Sequence, residues 1–281
     1  MLVDKPAGPT SHDVVARVRR ALKTRAAGHT GTLDPFATGL LVVLVGRATR
    51  LARYISEQPK TYLATARLGV ATTTDDLEGQ PVPGPVGEPP SRRAVEDALN
   101  SLRGPQKQRP PAFSAKRVGG ERSYARARRG EPVELAEVDI HVYAVELEEY
   151  SYPDLRFRTT VSAGSYVRAI GRDLGLRLGT GGHLTALRRE AIGALRVEDA
   201  IPLEAITAAV LRPPLEVLGH LPRVAVGEPD ALAVGFGKAI RPATAEHVEG
   251  LCAVVCEGRL VAVGVAHEGT VQPEVVLEAA G

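Results

Sequence analysis

Gly28-His-Thr-Gly-Thr-Leu-Asp34-Pro-Phe-Ala-Thr-Gly39 runs directly into Leu40-Leu-Val-Val-Leu-Val45 and then Gly46-Arg-Ala-Thr49. The six apolar residues between two glycines read as a buried strand. The segment before them places one carboxylate, Asp34, in a turn crowded with Gly, Thr and Pro. Pro35 fixes a backbone angle and helps to lock that turn. A carboxylate on a shaped loop held against a rigid strand is well placed for catalysis. Read alone, Asp34 is also a turn aspartate accepting local backbone hydrogen bonds, and the loop by itself does not decide between the two.

Working outward, the chain has 281 residues, 44% of them apolar, enough for one large domain or a large and a small one. Trp is absent and aromatics are 4%, so the core is expected to be aliphatic. The two cysteines, Cys252 and Cys256, lie i and i+4 in an apparent strand, face one side and are too far apart to bridge easily. They read as small core residues in a reducing compartment. Asp4 and Lys5 interrupt the N-terminus, and no apolar run spans a bilayer, which predicts a soluble cytoplasmic protein with no membrane partner. Net charge is only +2 but unevenly spread. Residues 101–130 hold nine basic side chains against the single Glu121, whereas residues 222–281 hold four basic and eight acidic ones. A basic block of this kind suits a polyanion, with a solvated charged helix as the plain alternative.

Leu2-Val3 starts a short strand. Thr10 or Ser11 caps a helix with Val14, Val15, Val18 and Leu22 on one face and Arg17, Arg19, Arg20 and Lys23 on the other. After the Asp34 loop the pattern predicts a helix over Arg47–Ser56, a strand over Thr61–Leu68, a polar loop at 72–79, a linker from Pro81 to Pro90 and a helix after Ser91. Gly104–Gly120 reads as irregular, Glu121–Arg129 as a short helix, Val138–Tyr150 and Leu155–Ser162 as long strands, and Gly164–Leu178 and His183–Glu190 as helices. Beyond Pro213-Pro214 and Leu221-Pro222 come short strands, with a hairpin turn at Glu257-Gly258. The order is α+β, followed by a small β-rich module.

No P-loop, Rossmann glycine triplet, His-Glu-x-x-His or Cys-x-x-Cys motif is present, and the seven His have no metal-ligand spacing. Five segments, in order, resemble the TruB family of tRNA pseudouridine synthases: Leu2-Val-Asp-Lys-Pro-Ala-Gly-Pro-Thr-Ser-His-Asp13, Gly28–Gly39, Pro110-Pro-Ala-Phe-Ser-Ala-Lys116, Ser162-Ala-Gly-Ser-Tyr-Val-Arg168 and His183-Leu-Thr-Ala-Leu-Arg-Arg189. The resemblance covers most of residues 1–210. It implies a mixed, mainly antiparallel catalytic sheet over 1–220, with an RNA-clamping insertion at about 101–130, and a reduced PUA-like RNA-binding domain over 221–281. It also implies isomerisation of uridine 55 in the T loop of tRNA, with no cofactor, no metal and no obligatory protein partner, by a monomer.

Under that resemblance Asp34 is the catalytic carboxylate, Arg168 its ion-pair partner, and Tyr62 the ring that stacks on uracil and handles a proton. Tyr166 and Leu187 line the pocket, Lys5 and Pro6 stand at its edge, and Asp76 contacts the uracil. His29 stacks into the loop once the base has flipped out, and Arg188 and Arg189 add to the RNA surface. The residues themselves also allow plainer readings: Tyr62 as a half-buried strand residue, Leu187 as core, Pro6 as a turn proline, and Asp76 as a capping group. Departures from the family pattern are Phe113 for Tyr, Val161 for Cys and Ala163 for Lys. The acidic tail is unusual for an RNA binder. A guide-RNA-dependent synthase subunit and a tRNA-folding chaperone are the alternative functions.

Overall fold

Strands β1 (Leu2–Lys5), β2 (Ala27–His29) and β3 (Thr38–Val45) open a sheet that organises the molecule. The computed structural model describes residues 1–83, 87–114, 117–118, 121–122, 129 and 135–277. β4 (Lys60–Leu68), β5 (Gly104–Gln108), β6 (Val138–Ser151), β7 (Asp154–Val161), β8 (Gly182–Ile192) and β9 (Ile201–Pro202) complete its main path, in the order β9-β1-β3-β8-β4-β7-β6-β5. Only β1–β9 and β3–β8 pair in parallel along this path; the other neighbours are antiparallel.

β3 is buried on both faces, as its unbroken apolar run requires. Leu41 and Val43 join a core covered by three helices: α1 (Ser11–Ala21) through Val14, Val15 and Val18, and further along the chain Arg92–Asn100 and Val167–Arg177. Leu40, Val42 and Leu44 point the other way, into a second core. α1 begins with a capping box in which Thr10 and Asp13 satisfy each other's backbone N–H groups. Ser91 Oγ accepts from Ala94 N at the start of Arg92–Asn100.

The second core is shared with the C-terminal module. Strands β10 (Arg223–Ala225), β11 (Gly250–Cys256), β12 (Arg259–His267) and β13 (Thr270–Val276) form a separate sheet in that order. Glu257 and Gly258, with φ of 48° and 77°, make the tight hairpin turn between β11 and β12. Ala253, Val255, Leu260 and Val263 pack with Leu40, Val42 and Leu44. Cys252 and Cys256 are both buried within the module, as free thiols. The short helical segment that follows β3 holds the module's last strand: Arg47 donates to Leu277 O at 2.9 Å and Arg50 to Val276 O at 2.7 Å, while Arg53 and Tyr54 reach the Glu274 carboxylate. A cavity of about 440 Å³ opens at this seam, among Val45, Pro214, Leu215 and Leu260, and not beside Asp34. The acidic tail is therefore docked on the back of the catalytic sheet.

Three local expectations change. His183–Glu190 is not a helix but the centre of β8, between β3 and β4. Register shifts between Leu184 and Ala186 and between Arg189 and Ala191 break the two-residue alternation. The inward residues Leu184, Leu187 and Ala191 are thereby spaced as on a helix. Gly104–Gln108, expected to be irregular, forms the edge strand β5. The helix expected over Glu121–Arg129 lies largely outside the described residues, and its first two residues pair as a strand with Arg117–Val118. Among the described residues no helix is long and apolar enough to cross a membrane.

Because the module and the back of the sheet share one core, Leu260→Ala is expected to destabilise the whole chain by about 2–5 kcal/mol in a single urea transition. Two separate transitions, with only one shifted, would show a module that folds independently.

Candidate active site

The Asp34 loop is fixed from three sides. Ser11 Oγ, at the start of α1, donates to Leu33 O at 3.1 Å and accepts from Leu33 N at 2.8 Å. Beside it, the Lys5 ammonium, fully buried, donates to Pro6 O, Pro9 O and Pro35 O at 2.9, 2.8 and 3.2 Å. Gly8 N also donates to Pro35 O. From beneath, the buried Arg189 guanidinium donates to Leu40 O at 2.7 Å, Gly31 O at 3.0 Å and Thr32 O at 3.4 Å. Gly39 pairs with Arg189 across the β3–β8 contact at φ 101°, and a Cβ there would sit 2.3 Å from Arg189 O. Only glycine fits.

The fourth side is Arg168, near the start of helix α2 (Val167–Arg177). Its Nε lies 2.9 Å from Asp34 Oδ2, and its Nη2 is 3.3 Å from Oδ1. Its Nη1 lies 3.2 Å from Asp76 Oδ2. The remaining donors go to Thr74 O and Phe113 O, both at 2.8 Å. A single guanidinium thus ties together the Asp34 loop, the 72–79 loop and the segment at Phe113. Arg168 and Asp76 are almost wholly buried, while about a third of the Asp34 side chain (34%) remains exposed, so Asp34 is the member of the trio that a ligand can reach.

Protein packed around Asp34 pushes its carboxyl above the ordinary aspartate value; Arg168 opposes this and the Asp76 charge reinforces it. Asp76 is held by Thr74 Oγ1 and by Glu78 N at 3.0 Å. Neighbouring Asp75, with φ 60°, pairs with Arg172 at 2.9 Å, and burial also raises its carboxyl.

Tyr62 is buried on β4 in the same core as Leu33 and Ala37, which flank Asp34, and pairs in register with Arg189. Leu187 belongs to that core as well. Tyr166, half-buried, precedes α2; its backbone N–H and C=O are both bound by Gln108. Burial raises its phenol pKa, and the charges of Arg168 and Asp34 are felt there. His29 Nδ1 accepts from Gly31 N at 3.3 Å, leaving the proton of the neutral ring on Nε2. Burial, with the charges of His12 and Arg189, lowers its pKa and favours that neutral ring. Pro6 is exposed at the loop edge.

Arg189 is 1% exposed. Expected on the RNA surface, it is instead a scaffold group beneath the Asp34 loop, because β8 turns it inward. Arg188 remains partly exposed and pairs with Asp4 at 2.7 Å. Lys5, expected at the pocket edge, likewise spends its ammonium on three carbonyls. The sequence reading did not single out Lys60, whose Nζ donates to Ser56 O and Gln58 O. Its signal was phase: Lys60 alternates with Tyr62, Ala64, Ala66 and Leu68 on the buried side of β4. Burial lowers both lysines to about 8. The Arg172–Asp75 pair had no comparable sequence signal.

The chain matches the model of the TruB family pseudouridylate synthase N-terminal domain over residues 19–167 and that of the tRNA pseudouridylate synthase B C-terminal domain over 168–216. It is 45% identical to the tRNA pseudouridine synthase B of Thermobifida fusca (strain YX), over 98% of this chain and 97% of the relative. It is 38% identical to the protein of that name from Aquifex aeolicus (strain VF5), over 99% and 98%. Among solved structures it resembles a chain of a Cbf5-Nop10-Gar1 complex, with a TM-score of 0.76 and 26% identity, covering 99% of this chain and 84% of that one. A chain of an H/ACA RNP bound to a substrate RNA containing 2'-deoxyuridine has a TM-score of 0.75 and 25% identity, with the same coverage.

Arg168 favours the ionised form of Asp34, so Arg168→Met is expected to raise the Asp34 carboxyl pKa further. Carbon-13 NMR titration of the Asp34 carboxyl measures this; an unchanged midpoint would mean that the guanidinium does not hold the charge.

Proposed function

The chain belongs to the TruB family of pseudouridine synthases, and we propose that it isomerises uridine 55 in the T loop of tRNA, with Asp34 as the catalytic carboxylate. The observation that carries this reading is the Asp34–Arg168 pair, at 2.9 Å, on a loop braced from every side but the one that opens to solvent. Pseudouridine formation breaks the ribose–N1 bond, turns the uracil and reattaches it through C5. An ionised carboxylate serves each route: attack at uracil C6, attack at ribose C1′, or assistance in losing the base. Burial disfavours the ionised form of Asp34; Arg168 favours that form and aims it.

The surrounding residues suit the other requirements. A uridine within a folded T loop has to leave its stack to reach Asp34. Half-buried Tyr166 offers a flat surface for the base, with Tyr62 and Leu187 as apolar core behind it. Asp76, buried and held by Arg168, Thr74 and Glu78 N, fixes the guanidinium that aims Asp34 rather than meeting the uracil itself. The neutral His29 ring can stack without adding charge. Relatives matched over nearly their whole length are named tRNA pseudouridine synthase B, which favours a tRNA enzyme over a guided subunit, and in this reading it acts alone, as a cytoplasmic monomer. The module over 221–281 is a reduced PUA-like unit in this reading, and its acidic charge favours a bracing role over phosphate contact.

With an unmodified tRNA transcript and purified protein, carbodiimide treatment followed by primer extension is expected to give a stop at position 55. Asp34→Asn is expected to lower the rate by at least about 10³-fold, the scale of losing a nucleophile. Native protein that binds tRNA tightly yet leaves no stop would overturn the standalone enzyme. The native rate is expected to fall on acidification, with a midpoint above that of an ordinary aspartate, because the required carboxylate has a raised pKa.

A further inference from the structure

The outer face of α1 has no role in the mechanism above, yet it carries an uncompensated charge. Val14, Val15 and Val18 face the core, while Arg17, Arg20, Lys23 and Arg25 are exposed on the helix and its exit turn. None of these four side chains has a hydrogen-bond or ion-pair partner among the described residues. Arg19 alone of the cluster is tied down, donating to Ala27 O at 2.8 Å. The one acid of the helix, Asp13, is committed to the capping box; it feels the charge of Arg20 but forms no ion pair with it. Many other exposed or half-exposed arginines of this protein are paired: Arg67 with Asp154, Arg92 with Glu96, Arg158 with Glu190, Arg188 with Asp4.

Compensation of the helix dipole accounts for cations in the last turn, Arg19 and Arg20, but not for Arg17 before it. The basic 101–130 block differs, because three of its described cations are engaged. Arg103 donates to Val145 O, Lys107 pairs with Asp139 at 2.9 Å, and Arg109 approaches Glu137 at 3.9 Å.

The position of α1 gives its free charge a direction. Its first residue, Ser11, is stitched to Leu33 beside Asp34, and the charge of His12 in its first turn is felt at His29. The chain leaves α1 through the basic exit turn into β2, which delivers His29 and the Asp34 loop. The cations thus extend outward from the rim of the active site. Resting on the tRNA reading above, we propose that this face of α1 is a second RNA-docking surface, whose Arg17, Arg20, Lys23 and Arg25 contact the phosphate backbone of the substrate stem. Such contacts orient the RNA without reading its sequence.

The test is the salt dependence of tRNA affinity. Full-length Arg17→Gln/Arg20→Gln/Lys23→Gln protein is compared with native protein between about 50 and 200 mM salt, the range over which phosphate contacts weaken steeply. The control is Arg196→Gln/Arg212→Gln/Arg223→Gln, which removes equal charge elsewhere from exposed positions. The α1 variant is expected to lose about two to three units of the log–log salt slope and roughly tenfold or more in affinity. Its turnover at saturating tRNA should be unchanged, and the control should stay near native. An unchanged slope overturns the proposal and leaves the patch to an acidic protein partner; an equal loss in the control also overturns it, as an effect of net charge. Native protein that shows the slope but makes no pseudouridine would defeat the functional reading and leave this surface standing.

Discussion

The buried guanidinium of Arg168 is the constraint on which the site depends. It meets Asp34, Asp76, Thr74 O and Phe113 O at once. Two carboxylates sharing one guanidinium would otherwise repel, and burial disfavours the ionised form of Asp34. A planar, permanently charged group with several donors can serve all four partners, which an ammonium could not. Removing one member of such a buried pair typically costs about 3–5 kcal/mol, because the other charge is left without compensation. Asp34 differs from Asp76: it shares the guanidinium but keeps about a third of its side chain exposed.

Beneath this pair lies a second layer of buried cations. Lys5, Lys60 and Arg189 are satisfied by backbone carbonyls, with no carboxylate within ion-pair distance among the described residues. The Asp34 loop, the 6–9 segment and the turn after Ser56 cannot supply these carbonyls with regular strand partners. Long cationic side chains reach in from β1, β4 and β8 and supply the donors instead. The loop thereby acquires a rigid underside.

The sheet separates two tasks. One face, covered by helices, builds the site; the other is covered by the C-terminal module. β3 serves both, with Leu41 and Val43 toward the helices and Leu40, Val42 and Leu44 toward the module. An acidic module on an RNA-modifying enzyme is reasonable once it is placed on the back, where arginines of the segment after β3 receive its last strand. The basic face of α1 lies on the helical side, with the site.

Much of this was legible in the chain itself. The apolar run after Asp34, the Thr10–Asp13 cap, the Glu257-Gly258 turn and the long strands around Pro153 are local patterns whose physics is complete within a few residues. The Asp34 loop with its Gly and Pro is of the same kind. What the sequence could not decide were quantities that depend on neighbours far along the chain. Arg189 reads as a surface cation until β8 is placed between β3 and β4, and the bulges in β8 imitate helical spacing. Lys5 and Lys60 look like ordinary lysines until carbonyls from other segments close over their ammonium groups. Whether the acidic tail was loose or docked depended on a core assembled from β3, the segment after it and β12. Local pattern determined most of the elements and placed Asp34 on a shaped loop. Tertiary packing alone decided which charges were buried, which were paired and which were left free for a partner, because desolvation and Coulomb energy depend on distance in space and not along the chain.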